Sequence, residues 1–150
     1  MTGKGSLNHN SRKFHAKNTD PNRTHWNVEY CNEDIKDVYH ELFDDALKRY
    51  NDKQTRKDRK IDDYYEKIRS GKQEKLFHEV ILQIGDKDNM GSETMEGQLA
   101  AKILDEYMKG FQERNPTLRV FAAHLHLDEA TPHLHIDFIP YVTGSKRGLD

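Results

Sequence analysis

An α+β fold, an antiparallel β-sheet covered by helices, is what this 150-residue sequence predicts, and three observations carry it. "LRVFAAHLHL" (118–127) and "HLHIDFIPYV" (133–142) are two strand-like stretches around the loop "DEATP", which reads as a hairpin. Three earlier stretches repeat apolar residues every three or four positions, the spacing of amphipathic helices. The resulting order is loop or strand, helix, helix, strand, helix, strand, strand, which suits helices segregated over an antiparallel sheet.

Taken in order, residues 1–24 are rich in Gly, Asn, Lys and Arg and read as loop, with one short strand at most. "HWNVEY" (25–30) alternates and is read as a strand. "NEDIKDVYHELFDDALKRYND" follows as a helix capped by Asn32, with Ile35, Val38, Leu42, Ala46 and Tyr50 as its stripe. "TRKDRKIDDYYEKIRSG" is read as a second helix, with Ile61, Tyr64, Tyr65 and Ile68 inward and Gly71 at its end. "KLFHEVILQIGD" (75–86) is rich in β-formers and stops at Gly85. "SETMEGQLAAKILDEYMKGFQERNP" carries the clearest helical signal. Ser92 is its expected cap, Glu93 and Glu96 suit its positive end, Pro116 stops it, and Met95, Leu99, Ile103, Leu104, Met108 and Phe111 form its face. The final "TGSKRGLD" belongs to no element.

Apolar residues make up 34% and charged residues 33% of the chain, against roughly 45–50% and about 25% in an average domain. The core is therefore expected to be thin. The length suits one domain over 1–150, expected to be a fragment of a longer chain. Net charge is −2 but unevenly spread: residues 48–60 hold seven Lys/Arg against two Asp, and residues 93–113 hold two against five acids. A basic stretch set against an acidic helix suits a polyanion on one side only. A single cysteine, Cys31, excludes an internal disulfide framework. No apolar run approaches the roughly 20 residues of a membrane span. No signal-peptide pattern is read at the start of the sequence. The expected compartment is the reducing cytoplasm, with no membrane contact from this segment.

Four of the nine histidines fall between 124 and 135. Residues two apart on a strand share a face, so His124 and His126 point one way, as do His133, His135 and Asp137 on the next strand. Antiparallel pairing around the loop brings His126 near His133. Directly opposed Cβ atoms then stand about 4.5–5.5 Å apart, close enough for imidazoles to converge on one divalent cation. Nitrogen donors with an open position mark a catalytic metal site, and they suit Mn, Zn, Ni, Fe or Co without selecting among them. Asp128 and Glu129 are turn formers or carboxylates beside that metal.

"HLDEATPHLHIDFIP" (126–140) resembles the third motif of the Mob/Pre plasmid mobilisation proteins, the MobV-type relaxases. "HNSRKFHAKNTDPNRTHWNVEY" (9–30) resembles their first motif, and "RKDRKIDDYYEKIRSGKQEKLFHEVILQIGD" (56–86) their middle region. The resemblance implies a relaxase domain of the His-hydrophobe-His endonuclease superfamily. Such enzymes nick one strand of DNA at a plasmid transfer origin, stay joined to the 5′ phosphate, and can religate. It implies His9 as nucleophile, Glu129 as the carboxylate that orients or deprotonates it, and His126, His133 and His135 as metal ligands. His124 matches no family ligand, and a fourth protein nitrogen would close the position a phosphate needs. Mn or Mg is the expected metal, with Zn, Ni and Co also suited to the donors. The expected partner is single-stranded DNA, contacted by Arg12, Asn18, Arg23, Arg56, Lys57 and Arg59; Asp20 matches a first-motif position without an assigned role. Tyr30, Tyr64 and Tyr65 are fallback nucleophiles. The alternatives are a phosphodiesterase that uses water, and a DNA-binding module whose metal is structural.

Overall fold

A computed structural model describes residues 6–145; of the expectation for "TGSKRGLD", residues 146–150 lie outside the described residues. Four strands, β1 (Val28–Asn32), β2 (His78–Gln83), β3 (Leu118–His126) and β4 (His133–Pro140), form one antiparallel sheet in the order β1-β3-β4-β2. The helices are α1 (Leu7–Asn10), α2 (Ile35–Asp52), α3 (Tyr64–Ser70), α4 (Met95–Lys109) and α5 (Phe111–Arg114). The α+β class and the β3–β4 hairpin are therefore as the sequence predicts.

The hairpin register pairs His126 with His133 and His124 with His135. Strand β2 sets Glu79 beside Asp137, Ile81 beside His135 and Gln83 beside His133. Glu79 thereby joins the histidine face, although it lies more than forty residues away in sequence.

Both faces of the sheet are covered. On one, Leu104, Met108 and Phe111 pack on Val120, Ala123, Leu125, Leu134 and Ile136. On the other, Val38, Tyr39, Phe43 and Ile68 pack on Phe121, Ala122 and Ile139. A register shift between Val120 and Ala122 inserts one extra residue in β3, so Phe121 and Ala122 both turn to the second core. The histidine face is thus apolar at one end, under α2 and α3, and nitrogen-lined at the other.

Several boundaries differ from the sequence reading. Residues Leu7–Asn10 are a short helix capped by Ser6, where loop or strand was expected. Thr24–Trp26 is a 3-10 turn, so the first strand starts only at Val28. Asn32 ends that strand, and Asp34 caps α2 by accepting from the backbone of Lys36 and Asp37. The expected second helix is only Tyr64–Ser70, because Asp63 caps it and the basic stretch before it folds as a separate 3-10 turn, Lys57–Arg59.

On α4 the cap is Thr94, whose hydroxyl accepts from Gly97. The buried side of that helix is Gly97, Ala100, Leu104 and Met108, while Met95 is 83% exposed and Leu99 and Ile103 also face out. Two adjacent apolar stripes run along this helix, and close approach selects the one with small residues. A Cβ at position 97 would collide with the carbonyl oxygen of Gly91.

Candidate metal centre and active site

Among the described residues, the three ring nitrogens that converge closely enough to hold a cation come from the hairpin. His126, His133 and His135 are all buried and offer ligand atoms within 4.8 Å of one another. The hydrogen bonds around them decide which nitrogen each offers. Nε2 of His126 donates to the carbonyl of Asn10 (2.8 Å), and Nδ1 of His133 donates to the carbonyl of Thr131 (2.9 Å). A carbonyl only accepts, so each ring carries its proton there and keeps its lone pair on the other nitrogen. Those two lone pairs, on Nδ1 of His126 and Nε2 of His133, face each other at 3.4 Å.

Two acceptors at that distance repel unless a cation lies between them. Nitrogens bound at about 2.1 Å in tetrahedral geometry stand about 3.4 Å apart. His135 adds two ring nitrogens that are buried and make no hydrogen bond within the protein. Its Nδ1 lies 3.3 Å from Glu79 Oε2, off the hydrogen-bonding angle. Backbone carbonyls and a carboxylate behind imidazoles are the usual second layer of a metal site. The residues present therefore fit a divalent cation.

Burial pushes the His126 imidazolium down to about 3, against the favourable Asn10 carbonyl, and Arg12 lowers it further. Burial likewise lowers His133, partly offset by Thr131 and Glu129. His126 and His133 are thus built to be neutral donors at ordinary pH. Asp137 lies on the same face, and burial beside Glu79 raises its carboxyl to about 8. Glu79 ends below its ordinary range: burial alone would raise it, but His135 and Asn10 outweigh that.

His124 stands apart. Its Nε2 meets Glu29 Oε2 at 3.0 Å on the β1 side, and it is not among the three converging rings.

His9 enters from α1. Its ring meets His126 edge-on, with centroids 6.1 Å apart. Nε2 lies 3.4 Å from Glu129 Oε1 and 3.3 Å from Arg12 Nη1. It can accept from Arg12 when it carries the lone pair and donate to Glu129 when it carries the proton. Beside it is a cleft of about 310 Å³, lined by His9, Asn18, Ile81, Glu129, His133 and His135 among others. A roomier cavity of about 450 Å³ lies among Tyr39, Phe43, Tyr64 and Ile68 and includes none of the converging histidines.

Arg12 departs from its expected part as a phosphate contact. Its guanidinium already bonds Asp128 twice (2.9 and 2.5 Å) and Glu129 once (2.9 Å), and its side chain is 8% exposed. Its backbone is left-handed, with φ of 52°, a conformation costing a non-glycine residue about 1–3 kcal/mol and held by the surrounding contacts. Arg12 is an internal brace that fixes the loop carrying Glu129. Asp128 forms the other half of that brace. Its carboxyl falls to about 2, because the bonds from Arg12 and Thr24 overcome the penalty of burial.

Asn18 donates to Glu129 Oε2 at 2.8 Å, so it too is engaged inside the site. Arg23 pairs with Asp20 at 3.1 Å and reaches the Leu127 carbonyl at 3.3 Å. Asn27 accepts from the backbone of Leu127 and Asp128. The first-motif residues therefore wrap the loop between β3 and β4. Ser92, expected as a cap, instead donates to the Glu129 carbonyl at 3.2 Å. Arg56, Lys57 and Arg59 sit exposed on the turn between α2 and α3, where Arg56 pairs with Asp58.

The tyrosines give no nucleophile near the histidines. Tyr30 donates to Asp105 of α4, and burial with that carboxylate raises its phenol. Tyr64 and Tyr65 pack around Tyr39 in the second core. Asn10, Glu79 and Asp137 were not singled out as site residues. Parity with His133 and His135 already places Asp137 on the histidine face in the sequence, while Glu79 is revealed only by strand pairing.

The metal-free protein should be most stable near pH 6.5. Below about 6.5, the unfolded value of His, three histidines whose native values are lowered chiefly by burial bind protons more readily in the unfolded chain. Their contribution is lost as pH falls. Asp137, raised in the native state, contributes in the opposite sense and is lost as pH rises through about 8. Three groups against one make stability rise with pH up to about 6.5 and fall above it. Thermal melts in chelator from pH 4.5 to 8.5 check this, and a melting point independent of pH would contradict it.

A family model described as plasmid recombination enzyme, Mob_Pre, matches residues 4–148. Among solved structures, the chain is similar to the MobM relaxase domain (MOBV; Mob_Pre) bound to 22-nt plasmid pMV158 oriT DNA, in a Mn-bound crystal structure at pH 5.5. Identity is 27% and the TM-score 0.56, over 96% of this chain and 65% of that one. A second structure of that complex, at pH 4.6, gives 27% identity and a TM-score of 0.50, over 96% and 68%. A third, with a 3′-thiophosphate at pH 6.8, gives 26% and 0.51 over the same shares. The chain thus spans about two thirds of the length of that relaxase domain. No curated protein matches it significantly.

Proposed function

This chain belongs to the plasmid recombination enzyme (Mob_Pre) family, and from that membership we propose that it is a relaxase domain that nicks one DNA strand at a plasmid transfer origin through a covalent link to His9. The observation that supports this most is the placement of His9 Nε2 between Arg12 and Glu129, with its ring edge-on to His126 of the three-histidine cluster. The related domain crystallised with oriT DNA and manganese adds support.

His126, His133 and His135 would hold a divalent cation, Mn or Mg in function. When bound it polarises the phosphate and offsets developing charge. The remaining work is done by side chains. An uncharged imidazole nitrogen offers a lone pair without prior ionisation, whereas a phenol must first lose its proton. Nε2 of His9 attacks the phosphorus, an N–P bond forms, and the bond to the 3′ oxygen breaks. That oxygen takes a proton from solvent and leaves as a 3′ hydroxyl, while the imidazolium sheds its Nδ1 proton. The 5′ phosphate stays on His9, and the reverse attack by a 3′ hydroxyl religates the strand. Glu129 faces Nε2, orients the ring and takes the proton from that nitrogen before the attack, while the Nδ1 proton is shed to solvent. Arg12 and Asn18 hold both oxygens of Glu129 and so set its direction.

The test is to incubate the protein, Mn²⁺ and a labelled single-stranded origin oligonucleotide and run a denaturing gel. With the label on the 3′ side of the nick, a band in which the protein co-migrates with the fragment that carries the 5′ phosphate is expected, and cleavage without such a band overturns the covalent step.

Affinity for single-stranded DNA should fall steeply with salt, as counterion release requires. Charge reversal at Arg56, Lys57 and Arg59, the exposed basic turn, should weaken binding and flatten that slope by roughly 0.7 for each phosphate the turn no longer neutralises. Unchanged affinity and slope would leave the turn merely solvated.

A further inference from the structure

Asn10 follows His9 directly and is 2% exposed. Three of its hydrogen bonds lead to the histidine cluster. Its backbone carbonyl accepts from Nε2 of His126 at 2.8 Å. Its side-chain amide donates to Glu79 Oε2 at 2.6 Å and to Asp137 Oδ2 at 3.3 Å. Glu79 Oε2 in turn faces Nδ1 of His135 at 3.3 Å. One residue of α1 therefore touches β2, β3 and β4 at once, each bond spanning at least 69 positions of sequence.

The chemistry suits asparagine and little else. Two buried carboxylate side chains meet here, and a neutral group with two N–H donors can serve both. An aspartate would add a third acceptor to the pair, and an alanine would leave the pair without its amide. The helix that carries His9 is only four residues long. A helix of one turn has little stability of its own, so its position must come from tertiary contacts.

We propose that Asn10 is a positioning residue that registers the His9-bearing turn on the metal centre, through its carbonyl to His126 and through Glu79 to His135. This rests on the reading of His9 as nucleophile and of the three histidines as metal ligands. Asn10 touches no substrate. It fixes the tautomer of His126, holds the carboxylate that faces His135, and sets how far His9 stands from the cation.

The experiment compares wild type with Asn10→Ala and Asn10→Asp in two assays. Calorimetric titration of the metal-free protein with Mn²⁺, without DNA, reads the hold on the ligands. Single-turnover and steady-state nicking at saturating Mn²⁺ read the hold on His9. Asn10→Ala should lower Mn²⁺ affinity about 10-fold or more, the range for loss of an outer-shell partner. It should also lower kcat at saturating Mn²⁺ with KM for the oligonucleotide little changed. Asn10→Asp should be worse in both.

If Asn10→Ala does not fold, the double variant N10A/D137N carries the test, because an amide at position 137 can donate to Glu79 in its place. That variant should fold yet still nick slowly, since no side chain ties α1 to Glu79. Circular dichroism and melting confirm folding in each case. A folded variant with Mn²⁺ affinity and kcat within twofold of wild type overturns the proposal. Wild type that binds Mn²⁺ without forming an adduct would instead overturn the nucleophile reading, and wild type that binds no Mn²⁺ the metal reading.

Discussion

Replacing His9 by alanine should abolish the covalent adduct and lower nicking by at least about 10³-fold, the scale on which removal of a nucleophile acts. The side chain is partly exposed at the cleft and braces no core, so the variant should fold and bind Mn²⁺ as wild type does. That combination, metal retained and chemistry lost, separates a nucleophile from a structural residue. Glu129→Gln should be milder, about 10²-fold, because it removes a proton acceptor while leaving the ring to attack. Nicking that persists in the His9→Ala variant with no protein–DNA band would mean that water attacks, and the chain would then be a metal-dependent phosphodiesterase. Transfer of the adduct to a tyrosine is not expected, since Tyr30 is committed to Asp105 and Tyr64 and Tyr65 to the second core.

Loss of any one converging histidine is the second large effect. His133→Ala should lower Mn²⁺ affinity by more than the roughly 10–100-fold that an outer-shell change costs, and nicking should fall with it. His133 is buried with its Nδ1–H held by Thr131, which leaves its Nε2 as the nitrogen lost from the cluster in the variant. Full metal occupancy in the variant, read by elemental analysis after desalting, would refute a three-histidine centre. His124→Ala is the matched control. It removes a buried histidine two residues along the same strand, but one that meets Glu29 and not the cluster. It should keep both metal and nicking. Joint loss in a folded protein would make the site four-coordinate and the open position for phosphate untenable.

The hairpin was legible in the sequence because its information is local. Two short alternating runs around "DEATP" fix both register and parity, and a slip of one residue would turn every histidine to the other face. The pairing of His126 with His133 and of His124 with His135 follows from that alone. The first motif was legible only as a family resemblance, since residues 7–27 have no periodicity from which a position could be argued. The longer helices were read correctly from apolar spacing, but the one-turn α1, the break at Gly110 between α4 and α5, and the boundaries were not. Asn32, Asp34, Ser92 and Thr94 are all competent caps, and the choice between neighbours rests on which hydroxyl or carboxylate finds free N–H groups in the folded chain.

Sequence by itself determined the α+β class, the histidine-bearing hairpin and the residue types able to hold a cation, because strand periodicity and donor chemistry are properties of neighbouring residues. Tertiary structure alone decided which side of α4 is buried, that Arg12 is a brace inside the site, and that Glu79 stands behind His135. Each of those depends on residues far apart in the chain meeting in one low-dielectric place. There a guanidinium bonded to Asp128, Glu129 and His9 has no donors to spare, and a carboxylate brought in by a neighbouring strand faces a ring it could never be matched to by spacing.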